Sequence, residues 1–225
     1  MNGQIPNQIN KAYSWPVDKL LSCGDPSGNQ NWPDYLAMGF EPTHIPELIR
    51  MTADEALNNA DSESSEVWAP LHAWRTLGQL RAEAAIEPLI GLFERIVKQE
   101  DDWVLEDLPQ ALGEIGPNAL AALSTYLADP SHGPGPRQAA AQSLNKIGQR
   151  HPESRDQCVA ALNYQLAQFK QNGRTLNGML ISCLLDLDAV ESAPVMAQAF
   201  AAKKVDQSVV GDWEDVQMML GLSRG

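Results

Sequence analysis

The chain has 225 residues, a hydrophobic fraction of 44% and a net charge of −13 from 29 acidic and 16 basic side chains, enough apolar content for one sizeable domain or a short repeat array. The acidic surplus argues against a nucleic-acid backbone as partner, which needs Lys and Arg gathered on one face, and against docking on an anionic membrane. It leaves two readings open, plain solubility or a basic protein partner.

Residues 1–33 are rich in Asn, Gln, Gly and Pro but carry Trp15, Trp32 and the pair Leu20-Leu21. They read as an irregular N-terminal cap, with turn chemistry at Cys23-Gly24-Asp25-Pro26, ahead of a helical domain over 34–225. A first helix is expected after Thr43, running to about Asn58, with Ile45, Leu48 and Ile49 on one face, and an acidic, Ser-rich loop follows over 59–65. Val67, Leu71, Trp74, Leu77 and Leu80 then recur at steps of three or four, as one face of an amphipathic helix over 66–80 requires. The couplet repeats: helices are expected over 84–99 with 102–115, 119–128 with 137–148, 153–171 with 175–187, and 192–203 with 212–220. Pro88, Pro117 and Pro194 sit at expected helix starts, where a missing N–H costs least, and no strand pattern competes.

One phrase recurs within these helices. Leu77-Gly78-Gln79-Leu80 returns as Leu112-Gly113-Glu114-Ile115, Leu144-Asn145-Lys146-Ile147 and Leu184-Leu185-Asp186-Leu187, at steps of 35, 32 and 40 residues. Self-similarity at such a period marks a repeat architecture. Ala73-Trp74-Arg75-Thr76-Leu77-Gly78-Gln79-Leu80 and Ala111-Leu112-Gly113-Glu114-Ile115-Gly116-Pro117 resemble HEAT repeats of the phycobilisome-lyase-like class; the later copies lose glycines, to Asn145, Leu185 and Asp188. The resemblance implies an all-α, right-handed α-solenoid of about five helix pairs. It also implies a non-enzymatic scaffold that binds a protein or peptide on the concave face of the inner helices. Its second implication is a bilin lyase-type subunit, or an assembly helper for a phycobiliprotein or another cofactor-carrying protein.

The second helix of each pair lines the concave face of such an array. Counting from the recurring leucines aligns Trp68 with Trp103, Arg75 with Gln110 and Gln142, and Gln79 with Glu114 and Lys146. Trp68, His72, Arg75 and Gln79 form one stripe, and Trp103, Glu106, Asp107, Gln110 and Glu114 its counterpart one repeat later. Two anchoring tryptophans, a charged contact from Arg75 and an acidic wall fit a partner-binding groove, since Trp and Arg are enriched at interface hot spots. The alternative is tryptophans packed between repeats beside a solvated polar face. His44, His72, His132 and His151 fall in different elements, and no Cys/His pair has zinc spacing, so neither a metal nor a cofactor is expected. Cys23, Cys158 and Cys183 are too few for a disulfide framework. With no secretory leader and no membrane-length apolar run in view, the expectation is a cytoplasmic protein.

Overall fold

A computed structural model describes residues 12–29 and 31–222, and every element among them is helical. The chain divides into two compact units, Met1–Leu92 and Phe93–Gly225.

In the first unit, the helix expected after Thr43 is two helices, α1 (Ile45–Thr52) and α2 (Glu55–Asn58). Asp54 makes the break: its carboxylate accepts the N–H groups of Ala56 and Leu57 and caps α2, a role short acidic side chains fill at a helix N-terminus. A 3₁₀ turn over Ser65–Trp68 leads into α3 (Ala69–Gln79), with Pro70 in its first turn. The apolar stripe read from the sequence is the packed one: Leu71, Trp74 and Leu77 are buried, and α3 lies on α1, whose Leu48 and Met51 are buried with them. The expected cap also contributes core. Val17, Leu20 and Leu21, in a 3₁₀ turn over Val17–Ser22, are buried, and the turn packs on α3 and on Ser65–Trp68. The part of that cap over 1–11 lies outside the described residues. α4 (Ile86–Gly91) ends the unit.

The second unit contains α5 (Arg95–Lys98), α6 (Asp102–Glu106), α7 (Leu108–Ile115), α8 (Leu120–Ala128), α9 (Pro134–Arg150), α10 (Arg155–Leu166), α11 (Arg174–Asp186), α12 (Ala193–Ala201), α13 (Gln207–Val210) and α14 (Trp213–Met219). The helix expected over 102–115 is interrupted at Asp107, one residue before Leu108-Pro109, because a proline disfavours helical geometry in the residue before it and removes an N–H. The helices form two rows. In one, α7 packs on α9, α9 on α11 and α11 on α13; in the other, α8 packs on α10, α10 on α12 and α12 on α14. Leu108, Leu112, Leu123, Leu144, Leu162, Leu180 and Leu184 fill the space between.

The recurring phrase has two structural jobs. Its first glycine allows close approach: a Cβ on Gly113 would lie 2.6 Å from the Cβ of Lys146 on the next helix of the row. Its end turns the chain. Arg81, Gly116 and Asp188, each four residues after a phrase leucine, all have positive φ. After α3 and α11 the hydrogen bonds are the paired set of a Schellman ending. Arg81 N donates to Gly78 O and Ala82 N to Leu77 O; Asp188 N donates to Leu185 O and Ala189 N to Leu184 O. The equivalent Gly148 lies inside α9, which runs on to Arg150.

Candidate functional site

The α3 stripe is occupied from within the chain. His72 and Arg75 are only 2% and 5% exposed. The His72 ring bridges the Tyr35 hydroxyl at Nδ1 (2.6 Å) and the Gly24 carbonyl at Nε2 (2.7 Å). Arg75 lies over the Trp32 ring at 5.0 Å. Gln79 holds the backbone on either side of Asp34 by both ends of its amide: Nε2 donates to Pro33 O and Oε1 accepts from Tyr35 N, each at 2.9 Å. Three of the four stripe residues expected to meet a partner therefore meet Gly24, Trp32, Pro33 and Tyr35 of their own chain, and Trp68, at the N-terminus of α3, is half-buried.

The counterpart residues lie in the second unit. Trp103 is half-buried in α6, and Asp107 is buried at the junction of α6 and α7. Glu114 on α7 pairs with Arg150 on α9 at 3.2 Å. Glu106 and Gln110 stay accessible and line a groove of about 290 Å³ between α6–α7 and α9, together with Leu105, Pro109, Gln138, Gln142 and Lys146. Counting from the leucines reaches Gln142 and Lys146 but not Gln138, although its position was readable. Gln138 stands one turn before Gln142 and one 32-residue step after Glu106. Each facing pair keeps that step, Glu106 with Gln138 and Gln110 with Gln142. Among the described residues, none of the side chains of Glu106, Gln110, Gln138, Gln142 or Lys146 takes a hydrogen bond or ion pair from the protein. The groove thus presents three amides, a carboxylate and an ammonium over an apolar floor of Leu105 and Pro109.

The other polar constellations are consumed by the fold. Glu94 accepts hydrogen bonds from the Tyr126 hydroxyl (2.8 Å) and from His132 Nδ1 (3.0 Å), and the Tyr126 and His132 rings stack at 3.7 Å. The Tyr126 bond, with His132, holds the Glu94 carboxyl below its ordinary range, while burial and then Glu94 push the Tyr126 phenol up. This cluster pins the loop over 129–133 to α8. A cavity of about 530 Å³ lies beside Phe200 and Trp213, whose rings pack on each other at 5.6 Å; its Asp212 carboxylate caps α14 through Glu214 N and Asp215 N. Cys158 and Cys183 are buried, and burial raises their thiols to about 11 and about 12. Among the described residues, no group of three or more His, Cys, Asp and Glu side chains is placed to hold a metal ion, and no helix is long and apolar enough to cross a membrane.

A family model described as protein of unknown function (DUF1186) matches residues 40–224. No curated protein and no solved structure matches the chain.

Proposed function

The chain belongs to that family of proteins of unknown function, and because membership assigns no activity we propose from its own geometry that it is a non-enzymatic interaction scaffold that binds a protein or peptide partner on its inner helices. The fold in this reading is a right-handed α-solenoid of about five HEAT-like pairs. The two rows α7–α9–α11–α13 and α8–α10–α12–α14 support it, since stacked helix pairs yield an extended surface suited to another macromolecule.

The observation that carries the function is the groove between α6–α7 and α9. Among the described residues its polar side chains take no hydrogen bond or ion pair from the protein, and they stand at repeat-equivalent positions. Amides, a carboxylate and an ammonium gathered in one groove and left unpaired by the fold offer hydrogen bonds and charge to another chain. The net charge of −13 favours a partner that is basic overall.

The test is partner capture from extract with tagged protein, followed by reconstitution of the identified pair from purified components. The triple variant Gln110→Ala, Gln142→Ala, Lys146→Glu should fold as the parent does and lose the complex. An equally tight complex with the triple variant would move the interaction elsewhere. Turnover of a substrate by the purified chain alone would sink the scaffold reading.

A further inference from the structure

We propose that the groove reads extended peptide backbone, taking a segment of about four residues that places an acidic side chain on Lys146 and a basic one on Glu106. This rests on the scaffold reading and narrows it to one kind of ligand.

The lining chemistry comes first. A glutamine side chain offers a donor and an acceptor side by side, the complement of a peptide group, and Gln110, Gln138 and Gln142 bring three such amides to one groove. Spacing comes second. Gln138, Gln142 and Lys146 follow one another at four-residue steps on α9, which at 1.5 Å per residue is about 6 Å per step. An extended chain advances about 6.6 Å over two residues. Successive turns of α9 therefore meet alternate residues of a peptide lying along it. The span from Gln138 to Lys146 is about 12 Å, or about four extended residues.

The four-residue step of α9 matches a two-residue step of extended chain more closely than it matches a second helix lying across it. The charges fix polarity, with Glu106 paired by register to Gln138 at one end and Lys146 two turns along α9 at the other.

The protein already makes this contact once. Gln79, two residues after its phrase leucine, grips Pro33 O and Tyr35 N, one side-chain amide bonded to the backbone groups on either side of Asp34. Lys146 occupies the equivalent position of its own repeat, and Gln142 stands one turn earlier. What Gln79 does to residues 33–35 in cis, the groove amides are placed to do to a second chain.

The experiment selects a random linear dodecapeptide phage library on the intact protein, on Lys146→Glu and on Gln142→Leu. Selected peptides should share an acidic position, which becomes basic on Lys146→Glu. A selected peptide, made synthetically, should bind Gln142→Leu at least about tenfold more weakly. Methylating its backbone nitrogens at alternate positions should abolish binding in one register and spare it in the other. Both variants should melt as the parent does, because Gln142 and Lys146 are not in the core. The inference is overturned if the same peptides are enriched on all three proteins, if both methylation registers bind equally, if the selected peptides are helical, or if the groove variants instead abolish self-association. A partner that still binds the groove variants would remove this inference and leave the scaffold reading standing. A protein that captures neither partner nor peptide would remove both.

Discussion

Gly113→Ala adds one methyl group where α7 and α9 come closest. The new Cβ would lie 2.6 Å from Lys146 Cβ and 3.2 Å from its carbonyl carbon. Carbon atoms rest at about 3.5–4.0 Å, so α9 must move by about 1 Å, and the neighbouring atoms are a backbone and a Cβ that cannot rotate away. Overpacking of this kind costs about 1–3 kcal/mol. Alanine's better helix propensity returns about 1 kcal/mol. The net loss is about 0–2 kcal/mol, centred near 1 kcal/mol, a fall in Tm of about 2–4 °C for a protein of this size. Gly91→Ala is the control: Gly91 also ends a helix and has open space around its Cβ position, so only propensity acts and stability should hold or rise. Urea and thermal unfolding followed by far-UV circular dichroism reads both. If the two variants shift stability in the same direction, close approach is not what the phrase glycine provides. Because the clash falls on Lys146, Gly113→Ala should also distort the groove and weaken a selected peptide more than Gly91→Ala does.

Arg81 and Asp188 hold positive φ without being glycine, at about 1–2 kcal/mol each, so Arg81→Gly and Asp188→Gly should each raise the urea midpoint; a lower midpoint would show that their side chains matter more than the turn. Asn177, fully buried, donates to Phe169 O and Lys204 O and accepts from Asn172 Nδ2; Asn177→Ala strands all three groups and should cost about 3 kcal/mol or more, measured by equilibrium unfolding. Glu94 has a depressed folded pKa, so its stabilisation is complete above the ordinary carboxylate value and fades as pH falls through the folded one. The stability gap between the parent and Glu94→Gln should therefore narrow between about pH 5 and pH 3, and a gap independent of pH would remove the Tyr126–Glu94–His132 account. Iodoacetamide under native conditions should label Cys23, half-exposed, well before Cys158 and Cys183, as mass spectrometry of timed samples will show.

The all-helical class, the approximate places of the longer helices and the apolar face of α3 were legible in the residues, because helical periodicity reports which side chains share a face, whereas Arg95–Lys98 and Gln207–Val210 were not read as separate helices. Leu71, Trp74 and Leu77 follow that period and are buried. The 32-residue step was legible too, and it aligns Gln110 with Gln142 across the groove. Local breaks were harder to see: Asp54 and Pro109 divide expected helices by capping and by proline geometry, which compete with a periodicity that continues across them. Positive φ at Arg81 and Asp188 was equally hidden, since neither residue type announces it.

Only the tertiary structure decided what covers each face. Periodicity places His72, Arg75 and Gln79 on the side of α3 away from its leucines and says nothing about Gly24, Trp32, Pro33 and Tyr35, nearly forty or more positions earlier, which return to lie on them. In the counterpart stripe Asp107 is buried and Glu114 pairs with Arg150, but among the described residues no side chain or backbone group hydrogen-bonds to the side chains of Gln110, Gln142 or Lys146. Two stripes equivalent by sequence thus differ in availability, because long-range chain return decides occupancy and a repeat's local pattern carries no record of it.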